Sequence, residues 1–194
     1  MNWQERIDAY TEATGFPKSL FVSEDGRVVG TWIMGQDYRV RSGYYGGYPA
    51  GYLRRIKGLF PDKQNVLHLF SGRVDQSVLG GDTVDINADL EPTYVDDAQT
   101  LLNVPLEDYD LVLCDPPYSV EDAEHYKTTL VKRNLVMRAL NRTRPGTHIV
   151  WLDQVLPMYR KIDFAVDAVI GMVKSTNHRF RVVTVFSRRE YETH

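Results

Sequence analysis

The sequence predicts an α/β domain built on one mostly parallel sheet. Three observations carry that prediction. Apolar runs of strand length recur at Val66–Phe70, Leu111–Cys114 and Thr147–Leu152, separated by helical patterns or tight turns. The second run stops at Asp115-Pro116-Pro117-Tyr118, because neither proline can donate a ladder hydrogen bond. Two further runs, 164–174 and 180–188, flank a short turn and read as an antiparallel pair closing the sheet.

The 194 residues suit a single domain over 1–194, with a helix-and-hairpin extension at 1–42 and a core at 43–190. No apolar run approaches a membrane span and no signal-peptide pattern is present, so a cytoplasmic protein with no membrane partner is expected. The single cysteine, Cys114, lies in an apolar strand and reads as a small core residue. No zinc spacing occurs, and no metal is expected. The net charge of −3 disfavours a nucleic-acid partner, yet the positive charge is clustered. Arg39, Arg41, Arg54, Arg55 and Lys57 form one group. Lys132, Arg133, Arg138, Arg142 and Arg144 form a second, and Arg179, Arg181, Arg188 and Arg189 a third. Each is either a solvated face or a set of phosphate contacts.

The elements follow in order. Residues 2–14 read as an amphipathic helix with Trp3, Ile7 and Tyr10 on one side. Residues 20–33 read as a hairpin turning at Asp25-Gly26. It is either an edge extension of the sheet or part of a substrate face. Gly43-Tyr44-Tyr45-Gly46-Gly47-Tyr48-Pro49 leads into a basic helix over 50–59, a pattern that suits backbone close to a ligand or a turn with packed tyrosines. The strand at 66–70 ends in Phe70-Ser71-Gly72, and 83–87 reads as a second strand containing Asp85. About a dozen residues separate Gly72 from Asp85, where roughly 20 are usual in dinucleotide-binding folds. The crossover helix must therefore be reduced to a turn, which Gly80-Gly81 supports. A third short strand ends at Asp97-Ala98, again without room for a preceding helix, and Asp97 also suits an N-cap for 98–103. A long helix is expected over 121–142, stopping near Pro145-Gly146, followed by a strand at 147–153.

The tip Asp115-Pro116-Pro117-Tyr118 resembles the Asp-Pro-Pro-Tyr motif of S-adenosylmethionine-dependent methyltransferases that modify exocyclic amines of nucleobases, in particular the DNA adenine-N6 methyltransferases. The chemistry suits those residues. An aromatic amine is a poor nucleophile because its lone pair is delocalised into the ring. A carboxylate and a backbone carbonyl that accept both amine hydrogens hold the nitrogen with its lone pair aimed at a methyl donor. An aromatic ring beside them offers a stacking face worth roughly 1–3 kcal/mol.

The resemblance covers about residues 43–188 and implies a Rossmann-like class I methyltransferase sheet with reduced helices after its first two strands. It implies S-adenosyl-L-methionine as cofactor and DNA as partner. Catalytic roles fall on Asp115, Pro116, Pro117 and Tyr118. Cofactor contacts fall on Tyr45 and Tyr48 of the segment before the first strand, then on Phe70, Ser71, Gly72, Asp85, Ile86, Asp97, Ala98 and Asp115. Asp85 would hold the ribose, and Asp97 with Ala98 the adenine of the cofactor. Substrate contacts fall on Tyr118, Ser119 and Arg179, with His178 a weaker candidate. Val74 stands where the first motif has its final glycine, and the first crossover is shortened. RNA as substrate (guanine N2 or adenine N6), cytosine N4 in DNA, and a degenerate binding domain stay open. No segment has room for a separate recognition region, which leaves long-site readout to a homodimer or a separate specificity partner.

Overall fold

The computed structural model describes residues 1–35, 48–117, 131–175 and 179–192. Arg39, Arg41, Tyr45, Tyr118, Ser119 and His178 lie outside the described residues. The chain is an α/β structure on a nine-stranded mixed sheet, mostly parallel, with few helices. Its strands are β1 (Leu20–Val22), β2 (Val28–Met34), β3 (Val66–Leu69), β4 (Asp82–Asp85), β5 (Tyr94–Val95), β6 (Leu111–Cys114), β7 (His148–Asp153), β8 (Phe164–Lys174) and β9 (Phe180–Arg188). They lie in the order β1-β2-β8-β9-β7-β6-β3-β4-β5. The pairs β2–β8, β3–β4, β3–β6, β4–β5 and β6–β7 are parallel. The hairpin β1–β2 and the pairs β7–β9 and β8–β9 are antiparallel. The early hairpin is therefore a sheet-edge extension, and β2 runs beside β8.

Two helices cover one face. Helix α1 (Trp3–Thr14) starts at a capping box, in which the Asn2 side chain accepts from the Glu5 amide at 2.8 Å and Glu5 accepts from the Asn2 amide. It stops at Gly15 in the left-handed conformation. Helix α2 spans Tyr52–Leu59. Ile7 and Tyr10 of α1 and Ile56 and Leu59 of α2 pack on Val28, Trp32, Leu111, Leu113, Val183 and Val185. Trp32 is fully buried and stacks on Tyr10 at 5.9 Å; burying a side chain of this kind contributes about 1.5–3 kcal/mol. The opposite face packs Leu67, Leu69, Val112, Cys114, Ile149 and Trp151 against Leu101, Leu106 and the short helix α4 (Arg133–Ala139).

The crossovers are as short as the spacing requires. Between β3 and β4 stands only α3 (Gln76–Leu79), capped by Asp75. The Gln76 side chain brackets Gly81, accepting from its amide at 2.9 Å and donating to its carbonyl at 3.2 Å. A Cβ at Gly81 would lie 2.4 Å from the Val66 carbonyl oxygen, so only glycine fits this approach of β4 to β3. Between β4 and β5 there is one 3-10 turn, Ala88–Leu90. Thr83 and Thr93 close this connection by accepting from each other's amides with their hydroxyls, at 3.0 and 3.1 Å.

Two expectations need correction. The helix expected over 121–142 does not run through the described part of that range as one element: Val131 and Lys132 are not helical and α4 begins at Arg133, while 121–130 lie outside the described residues. Lys132 is the residue before the first turn, and its amide donates to the Gln99 side chain at 3.0 Å. Residues 98–103 form turns rather than a helix, although Asp97 does cap them by accepting from the Gln99 amide at 2.9 Å.

Candidate functional site

The strand order reverses direction between β3 and β6. From β3 the chain builds outward through β4 to β5, whereas β6 and β7 lie on the other side. Ligands of open α/β sheets bind outside the carboxyl ends of strands at such a switch point. The carboxyl end of β3 carries Phe70, Ser71 and Gly72. That of β4 ends at Asp85, that of β5 leads to Asp97, and that of β6 leads to Asp115. The residues picked from four separated stretches of sequence thus share one edge.

The backbone at the switch point is unusual. Phe70 has φ 63° and Gly72 φ 60°, so the chain curls sharply as it leaves β3. The left-handed conformation costs a non-glycine residue roughly 1–2 kcal/mol. The Asp115 amide donates to the Leu69 carbonyl at 3.3 Å and ties the tip to this curl. Ser71 is buried, and its Oγ makes no hydrogen bond within the chain. Val74, two residues after Gly72, packs against the first core face.

Asp115 is half-buried, and Pro116 and Pro117 are buried. Tyr48 and Tyr52 approach it from the α2 side, with their rings stacked 5.5 Å apart. Burial, then the Asp115 charge, raises both phenols well above their ordinary value, so both stay protonated. The Tyr52 hydroxyl is buried without a hydrogen bond. The Tyr48 hydroxyl lies 2.8 Å from Nδ1 of the buried His68. Burial lowers His68 to about 4, against the opposing pull of the Leu79 and Gly80 carbonyls. The neutral ring can accept from Tyr48.

Behind the tip, Arg133 makes a two-pronged ion pair with Asp153, at 2.5 and 3.2 Å, and donates to the Pro117 carbonyl at 3.3 Å. Asp153 also accepts from Trp151 Nε1 at 3.0 Å and the Gln154 amide at 2.7 Å. This carboxylate holds the scaffold and is not available for chemistry.

Asp85 is half-buried and accepts from the Asn87 amide at 2.9 Å. Burial raises its carboxyl, an effect the amides of Asn87 and Ile86 partly offset. Ile86 is exposed beside it, and Ala98 is buried. Asp97 accepts from the Gln99 amide and side chain. Cys114 is buried in the core, and burial pushes its thiol up, which suits a packing role.

The basic groups divide by function. Arg55 is buried, donates to the Tyr10 hydroxyl at 3.0 Å and stacks 4.0 Å over Phe16. Arg142 donates to the Thr100 and Leu101 carbonyls, and Arg188 to the Asn141 carbonyl. These three cations make contacts within the chain, a role that neither reading of the clusters named. Arg179 and Arg181 open β9 and stand on the carboxyl edge with Asp115, whereas Arg188 and Arg189 lie at its far end.

Tyr52, His68 and Asp153 join the site without having been singled out in the sequence, and Arg133, read there only as part of a basic cluster, joins it through Asp153 and Pro117. A strand ending Trp151-Leu152-Asp153 was a legible signal for one of them; the others are brought in by packing. Among the described residues no group of His, Cys, Asp and Glu could hold a metal, and no helix is long and apolar enough to cross a membrane. The chain matches no protein-family model and no curated protein.

Proposed function

We propose that the chain is an S-adenosylmethionine-dependent methyltransferase acting on the N6 amine of adenine in DNA. The observation that carries this reading is the placement of Asp115-Pro116-Pro117 at the carboxyl end of β6, beside the left-handed turn after β3, with Asp85 and Asp97 on the next two strands. The order β5-β4-β3-β6-β7 corresponds to third, second, first, fourth and fifth strands of a Rossmann-like sheet. The antiparallel β9 beside β7 agrees with the closing hairpin of the class I methyltransferase sheet.

The residues present fit the cofactor. Ser71 Oγ is buried with no hydrogen bond, Gly72 bares its backbone, and Asp85 and Asp97 supply carboxylates for ribose and adenine. When bound, the cofactor supplies an electrophilic methyl group. The chain's part is to position the amine. Asp115 and the Pro116 carbonyl would accept its two hydrogens, and Arg133 steadies the tip through Pro117. Within a duplex the base must first leave the stack, at a cost of a few kcal/mol.

Nucleoside mass spectrometry after incubation with DNA or RNA tests the assignment. N6-methyladenine in DNA is expected; N4-methylcytosine or a methylated RNA base would move the substrate. Calorimetric titration with the cofactor separates all of these from a degenerate binding domain.

A further inference from the structure

The carboxyl edge is polarised about Asp115. On the β3 side stand Asp85 and Asp97. On the far side, beyond β7, the edge carries Lys174 at the end of β8 and Arg179 and Arg181 at the start of β9. Their common face follows from strand geometry. Arg181 sits opposite Met172, and the Lys174 amide donates to the Arg179 carbonyl at 3.3 Å. Alternation then puts Lys174, Arg179 and Arg181 on the face of Met172, Val183 and Val185, the face that also bears Asp115 and Tyr52.

Lys174 is half-buried. Burial, then Arg181, lowers its pKa, Asp115 raises it, and Arg179 lowers it again. Three cations thus lie together at the rim of the site, and Lys174 also feels the Asp115 charge. Arg179 and Arg181 already have partners within the chain, so an anion would join a network rather than meet bare charges.

We infer that Lys174, Arg179 and Arg181 form the seat for the backbone phosphate of the nucleotide whose base enters at Asp115. The inference rests on the methyltransferase reading and adds its phosphate site. It reconciles the proposed nucleic-acid substrate with the net charge of −3, because these cations concentrate positive field at one edge of the sheet.

The test is fluorescence anisotropy of a labelled 16-nucleotide single-stranded DNA over a salt series, with wild type, Lys174→Gln, Arg179→Glu and the double variant. Wild-type affinity should fall with salt, and on a single strand the slope should shrink by about 0.7 for each phosphate the variant no longer neutralises. Urea denaturation of each variant checks that it folds, and Arg179 is exposed, so its replacement empties no core position. Cofactor affinity by calorimetry should stay unchanged in both single variants. Unchanged slopes in the variants of an enzyme that still methylates would overturn the phosphate seat alone. So would a loss of cofactor affinity without a change in slope, which would assign the cations to the cofactor. Salt-dependent binding that the variants weaken, in a wild type that transfers no methyl group, would keep the seat and remove the reaction.

Discussion

Arg133 and Asp153 are joined by two hydrogen bonds, with Asp153 almost wholly buried and Arg133 about one-fifth exposed. Removing one partner of a buried ion pair leaves an uncompensated charge, at a cost of about 3–5 kcal/mol. Arg133→Ala is therefore expected to lose stability in that range, read by urea denaturation. The Pro117 carbonyl also loses its donor, so methyl transfer should fall even under conditions where the variant stays folded. A loss below about 1 kcal/mol would show that Trp151 and Gln154 alone satisfy Asp153.

Asp115→Ala should reduce methyl transfer by a factor of about 100 or more, the scale for removing one preorganised electrostatic contact. Cofactor affinity should change much less, because Ser71, Gly72, Asp85 and Asp97 lie on other strands. Single-turnover assays at saturating cofactor measure the first and calorimetry the second. Near-normal turnover would take Asp115 out of the mechanism.

Asp85→Ala should act in the opposite sense, raising the cofactor dissociation constant while turnover at saturation persists. Its carboxyl is raised by burial, so cofactor affinity should weaken as pH falls toward the carboxylate range and Asp85 gains a proton. A pH series of titrations checks both points. Identical affinity in the variant would dismiss the ribose assignment.

His68 sets a pH dependence of stability. Its folded-state pKa is about 4, against 6.5 when unfolded. The unfolded chain therefore binds the extra proton first. The stability contribution is whole above pH 6.5 and is lost as pH falls toward 4, by up to about 3 kcal/mol. His148, lowered mainly by burial, adds in the same direction. Denaturation at pH 7, 5.5 and 4 should show a smaller decline for His68→Gln than for wild type. Parallel pH profiles would sink the assignment.

Gly81→Ala tests the shortened crossover. The new methyl would collide with the Val66 carbonyl, and forced overpacking costs typically about 1–3 kcal/mol. Because Gly81 leads straight into β4, cofactor affinity through Asp85 should fall with stability. A variant as stable as wild type would mean β4 can be reached by a different path.

The elements were legible where local chemistry dictates them. Apolar runs, the Asp25-Gly26 turn and the prolines after Asp115 locate most strands, and the short links after β3 and β4 follow from spacing alone. Asp85, Asp97 and Asp115 were legible because each ends a strand or follows one closely, and parallel strands bring those ends to one edge. The sequence could not say which groups each cation would meet: Arg55 reaches the Tyr10 hydroxyl, Arg133 the Asp153 carboxylate and Arg188 the Asn141 carbonyl only once the chain is packed. Nor could it join Tyr48 to His68 or Arg133 to Asp153, which are distant in the chain and meet through the sheet order. Residue type and local spacing determine which groups exist and which element carries them. Their partners, burial and charge environment depend on long-range contacts, and these only the tertiary structure decided.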